Sequence, residues 1–156
     1  MYSKYLSFVL CILSISFVHS QNEEIGLFKE TTIIAQGSNS GLFEPIHTVC
    51  FNKFFNQELL GKDFILQYGL NKVKYRKHML IDIFLGKTSI KSGIINVQVK
   101  EFSNKLVVRY DTTEKEGEFS GYSPYIIIKT EKVKKPVEFV QNGKSMGVAS
   151  SRVYIN

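Results

Sequence analysis

"INVQVKEFSNKLVVRY", Ile95 to Tyr110, decides the fold class. Ile95, Val97 and Val99 alternate with Asn96, Gln98 and Lys100, which marks a strand with one buried and one wet face. Asn104-Lys105 then reads as a tight turn into a second apolar strand, Leu106 to Tyr110. Two strands joined this way form an antiparallel hairpin, and the same period of two recurs along the chain.

Working outward, Phe28 to Ala35 reads as a first strand and Ile46 to Phe51 as a short second one. Between them Gln36 to Pro45, "QGSNSGLFEP", is a loop of Gly, Ser and Asn. Asn52 is placed to N-cap a helix carrying Phe54, Phe55 and Leu59 at helical spacing, with Gly61 as its stop. Phe51, Phe54 and Phe55 would anchor that helix to the sheet. Lys62 to Lys77 reads as irregular or weakly stranded, and Met79 to Leu85 as a strong central strand. Asp111 to Pro124 is a long polar loop. Tyr125 to Lys129 and Val137 to Val140 are further strands, Asn142-Gly143 a turn, and Val148 to Ile155 a last strand. The expected fold is mainly β (α+β): an antiparallel β-sandwich or half-open barrel of about eight strands with one early α-helix.

Residues 1–20 read as a secretory signal peptide: Lys4, then an apolar run from Leu6 to Val18, then Val18-His19-Ser20 before the cleavage point. The expected mature chain, 21–156, is one domain, exported to the periplasm or the extracellular space. No other apolar run is long enough for a membrane span. Only Cys50 survives cleavage, so no internal disulfide is expected and Cys50 reads as a small buried hydrophobe. The formal net charge of +6 is mildly basic. Arginine is limited to Arg76, Arg109 and Arg152. A surface dominated by Lys suits solubility more than bidentate phosphate grip.

"IDIFLGKTSI", Ile81 to Ile90, resembles a nucleotide-phosphate loop only at first sight. The Walker pattern needs a Gly five residues before Gly86, where this chain has Ile81, and a helix after the Thr. Gly86-Lys87-Thr88 therefore reads as the exit of a strand. A Cys-His pair of Cys50 and His78 is the sharpest catalytic alternative, but no orienting carboxylate or oxyanion nest stands at a diagnostic spacing. His47, His78 and Cys50 form no metal-ligand cluster. No catalytic residue, cofactor, metal or nucleic-acid partner is expected. Two basic runs, Lys72 to Lys77 and Lys129 to Lys135, suit solvated edges. If they share one face, Lys72, Lys74, Arg76 and Lys77 could make a weak polyanion contact.

The ordered set "KYRKHMLIDIFLG" (Lys74 to Gly86), a short loop ending at Gly93, "KLVVRY" (Lys105 to Tyr110) and "SPYIIIKTEKVKKPVEFV" (Ser123 to Val140) resembles the C-terminal domain of the PrcB family. Gln36-Gly37, Leu85-Gly86, Gly93, Pro124-Tyr125 and Pro136-Val137-Glu138-Phe139 carry the match, which covers about residues 28–140. Where that family shows a Thr-Gly-Gly-Tyr-like loop, this chain has Lys91-Ser92-Gly93-Ile94. Its strand alternation is then one position out, which a bulge near Gly93 would reconcile. The resemblance implies a non-catalytic, protein-binding accessory subunit of an exported bacterial protease complex. A protease inhibitor acting through a surface loop, and an envelope polyanion binder, are the alternatives. The expected contact surface is the loops 37–44, 87–93 and 111–124, with Ser38, Asn39, Lys87, Thr88, Ser89, Lys91, Gly93, Tyr122 and Tyr125 as its residues.

Overall fold

A computed structural model describes residues 25–115 and 121–149 of the chain. The expected signal peptide and the end of the tail lie outside the described residues. Among the described residues, nine strands form two sheets. They are β1 (Leu27–Phe28), β2 (Thr31–Gly37), β3 (Ile46–Cys50), β4 (His78–Phe84), β5 (Lys91–Glu101), β6 (Leu106–Lys115), β7 (Tyr125–Glu131), β8 (Val137–Gln141) and β9 (Lys144–Ala149). One sheet has the order β1-β5-β6-β8-β9 and the other β2-β7-β4-β3. All pairs are antiparallel except β6 with β8, which is parallel. The result is a sandwich with open edges, not a closed barrel.

Strand β4 explains the layering. Met79, Ile81 and Ile83 face the other sheet, where they meet Val99, Val108 and Phe139. Leu80 and Phe84 face the opposite way, into a second core with Cys50, Tyr125 and Ile127. The helix α1 (Lys53–Gln67) closes that second core with Ile65, Phe55 and Phe64. A strand covered on both faces needs apolar residues at nearly every position, and this is why the run reads as continuous. Each such side chain contributes about 2–3 kcal/mol by leaving water.

Asn52 caps α1 as expected, its Oδ1 accepting from the backbone N–H of Phe54 at 3.0 Å and Phe55 at 3.2 Å. Replacing Asn52 with Ala is expected to lower stability by about 1 kcal/mol, read from the midpoint of urea unfolding. An unchanged midpoint would mean that packing alone fixes where the helix begins. Gly61, the expected stop, instead sits at a kink (φ 80°) after which the helix resumes to Gln67. The segment after Gly61 is therefore helical rather than irregular, because Phe64, Ile65 and Tyr68 continue the buried stripe. Phe54 is exposed and anchors nothing in the core, while Phe51 packs beside the inter-sheet core.

Four strand assignments change. The expected first strand, Phe28 to Ala35, breaks at Lys29-Glu30, so that β1 joins one sheet beside β5 and β2 the other beside β7. Asp111 to Lys115 extends β6 rather than opening a loop, because it pairs with Lys91 to Ile95. The last strand begins at Lys144; the part of the expected strand after Ala149 lies outside the described residues. In β5 the register slips by one residue between Ile95 and Gln98, with Asn96 at φ 53°. This bulge flips the side-chain parity, so Ile94 and Val99 point inward and Ile95 is exposed. The inward placement expected for Ile95 is thus overturned, and the extra residue sits just beyond Gly93.

Candidate functional site

The registers of the helix-bearing sheet bring four strand ends together. Gly37 pairs with Tyr125, Tyr125 with Phe84, and Phe84 with Ile46. The segments 38–45, 85–90 and 121–124 therefore emerge at one end of the sandwich. They are tied to one another by backbone hydrogen bonds. Thr88 and Tyr122 exchange bonds at 2.7 and 3.1 Å, and Leu85 N–H donates to Pro124 O at 2.9 Å. Lys87 N–H donates to Phe43 O at 2.9 Å.

Ser123 is the hub of this end. It is buried, and its N–H donates to Ser38 O at 2.9 Å while its carbonyl accepts from Ser40 N–H at 2.8 Å. Its hydroxyl accepts from Gly41 N–H at 2.9 Å and donates to Asn39 Oδ1 at 3.1 Å. Every polar atom of a buried serine thus has a partner, which holds the loop in one conformation. Gly86 makes the close approach possible. Its φ is 73°, and a Cβ there would lie 2.7 Å from Phe43 O and 2.8 Å from Pro45 N.

On this frame Phe43 stands 70% exposed, with Lys87 Nζ 5.0 Å from its ring centroid. A shallow cavity of about 160 Å³ lies beside it, lined by Asn39, Leu42 and Ser123 among others. An exposed aromatic under a cation, on backbone that is already ordered, would lose little entropy in making a contact.

Of the expected contact residues, Ser38, Asn39, Lys87, Thr88 and Tyr122 are gathered here, and Ser89 lies on the exposed part of the same loop. Lys91 and Gly93 are instead rungs of β5, opposite Lys115 and Thr113, so they belong to a ladder rather than a loop. Tyr125 is buried against Phe84, and its hydroxyl bonds that of Tyr68 at 2.8 Å. Gly37 leaves room for it, since a Cβ there would lie 2.8 Å from the tyrosine ring. Tyr125 is therefore a core residue and drops out of the expected contact set. Sequence reading missed Phe43 and Ser123. The signal for Phe43 was an aromatic inside a run otherwise made of Gly, Ser and Asn.

A second polar feature lies under α1. Asp82 is fully buried in the sheet, with Cys50 Sγ 3.0 Å from its Oδ2 and 2.9 Å from Asn56 Oδ1. The single thiol proton serves one acceptor at a time. Asp82 Oδ1 and Asn56 Nδ2 have no hydrogen-bond partner. Burial pushes the Asp82 carboxyl up to about 7, against the pull of its bond to Cys50 and of the nearby Asn56 amide. Burial, then the Asp82 charge, pushes the Cys50 thiol up, the opposite of what a thiolate nucleophile requires. Cys50 is buried as expected, but as a member of a polar triad rather than a plain hydrophobe.

Across the inter-sheet core, His47 Nε2 is hydrogen-bonded to the Tyr110 hydroxyl, which donates to Gln141 Oε1 at 3.0 Å. Partial burial lowers the His47 pKa and raises that of Tyr110 to about 12. Among the described residues, no group of three His, Cys, Asp or Glu side chains is placed to hold a metal ion. No described helix is long and apolar enough to cross a membrane.

The two basic runs meet at the other end of the same sheet, where His78 pairs with Glu131 and Lys132 N–H donates to Lys77 O at 2.8 Å. Of the four cations expected to act there, Arg76 and Lys77 line a shared groove. Lys72 and Lys74 do not line it; Lys72 ends a 3-10 turn and Lys74 follows it. No protein-family model, no curated protein and no solved structure matches this chain.

Proposed function

We propose that the protein is an exported, non-catalytic protein-binding module, an accessory subunit of an exported protease complex. Its contact surface is the loop end built by residues 38–45, 85–90 and 121–124. The observation that carries this reading is the exposed Phe43–Lys87 pair, held on loops whose backbone is cross-tied through Ser123. Aromatic side chains are enriched in protein interfaces, and a preordered frame lowers the cost of binding through one. The PrcB-like order of motifs and the N-terminal signal-like segment support the class of partner and the compartment.

The test uses mature protein as bait against envelope extract from its source cells, with the retained proteases assayed afterwards. Wild type is expected to retain an exported protease that stays active. Phe43→Ser with Lys87→Glu is expected to retain at least tenfold less while its circular dichroism is unchanged. Stoichiometric loss of activity in the retained protease would replace the accessory role with that of an inhibitor. Equal retention by the double variant would remove this surface from the account.

A further inference from the structure

We propose that the end of the sandwich opposite the contact loops is a second binding site, for a glycan carrying sulfate or phosphate groups. The groove there has a volume of about 910 Å³ and is walled by the segments 28–32, 76–78 and 129–134. Six Lys or Arg side chains line it against two carboxylates, Glu30 and Glu131, with His78 between.

The cations divide into two groups by what they touch. Lys29 Nζ pairs with Glu131 at 2.9 Å and Glu101 at 3.2 Å, and Lys132 Nζ donates to Tyr75 O at 3.0 Å. These two build the walls. Arg76, Lys77, Lys129 and Lys134 have no ion pair among the described residues, so their charge faces the groove and solvent uncompensated. Four unpaired cations around one concavity focus a positive potential into it, beyond what the overall charge of the chain would give.

Two features favour a glycan over other polyanions. Phe28, 66% exposed, forms part of the groove wall. Lys100 Nζ sits 4.4 Å from its ring centroid. An exposed aromatic beside point-charge lysines suits a sugar ring with pendant anions: the ring packs on the aromatic, and the anions meet ammonium groups that demand no bidentate geometry. The groove is also distinct from the contact loops, so it does not depend on the function proposed above.

The probes are a heparin octasaccharide, inorganic polyphosphate and oligo-dT of similar charge, titrated calorimetrically into the mature protein at 150 mM salt. The octasaccharide is expected to bind most tightly of the three. Lys77→Glu with Lys129→Glu and Lys134→Glu is expected to weaken it at least tenfold. The equally charged control Lys53→Glu with Lys62→Glu and Lys144→Glu should change it less than twofold. Phe28→Ala should weaken the octasaccharide about threefold and leave polyphosphate unchanged. If the charge-reversed groove variant fails to fold, Gln at the same three positions is used, with at least a fivefold loss expected. Equal losses in groove and control variants, no octasaccharide binding by wild type, or oligo-dT or polyphosphate binding as tightly as the octasaccharide would each overturn the proposal.

Discussion

Replacing Gly86 with Val is expected to lower stability by about 2–6 kcal/mol, a large loss for a single loop position. Two costs combine. The backbone at Gly86 has φ 73°, which a β-branched residue adopts only with strain of about 1–3 kcal/mol. A Cβ there also meets backbone atoms of Phe43, Glu44 and Pro45 at 2.7–2.8 Å. Backbone cannot swing aside as a side chain can, so the 38–45 loop must shift, at about 1–3 kcal/mol more. Gly143 separates the two costs, because its φ is 79° but a Cβ there would meet nothing within 4 Å. Gly143→Ala should therefore cost only about 1 kcal/mol and Gly86→Ala distinctly more, both read from urea unfolding midpoints. Equal costs would mean that the close approach of the two loops contributes nothing.

The second large effect concerns Asp82. Its carboxyl is ordinary in the unfolded chain, near 3.8, and is pushed up to about 7 when folded. Below about pH 4 both states hold the proton and the group is neutral in its effect. Between about 4 and 7 the folded state keeps a proton that the unfolded state loses, so stability falls as pH rises. Above about 7 the full penalty is present, of the order of 4 kcal/mol. Other groups push the opposite way. His47, lowered by burial, makes stability rise with pH up to about its ordinary value of 6.5. Glu101 and Glu138, lowered by hydrogen bonds to Lys135 and Lys105, make it rise through the acid range below about 4.5. The difference between wild type and Asp82→Asn isolates Asp82. That variant is expected to gain on wild type steadily from pH 4 to 7 and to stay ahead, by several kcal/mol, at pH 8. A constant difference across the range would show that Asp82 holds its proton no more firmly folded than unfolded.

Asp82 also shows where the sequence stops being legible. The nearly continuous apolar run from Met79 to Leu85 identifies a central strand whose second face is not uniformly polar, but not what covers that face. It is the helix folding over Leu80, Asp82 and Phe84 that buries it, and no local pattern announces that packing partner. The same coverage hid the continuation of α1 past Gly61, because a glycine at a kink and a glycine at a stop look alike in sequence. Asp111 to Lys115 reads as loop because it is polar on both faces; only its partner residues in β5 make it a strand. The hairpin of β5 and β6, the cap at Asn52 and the turn at Asn142-Gly143 were legible because each rests on chemistry within a few residues. For the contact surface, the loops could be named but not their membership. Tyr125 and Phe43 are both aromatics near Gly and Pro, and only strand register sends the first inward and leaves the second exposed.

The most direct measurement of the account is hydrogen–deuterium exchange on residues 21–156, alone and with the exported protease that the proposed function requires. Residues 38–45, 85–90 and 121–124 are expected to gain protection together in the complex. The basic groove at 76–78 and 129–134 should exchange as it does in the protein alone. Protection confined to the groove or to the sheet edges, with the contact loops unchanged, would contradict the account.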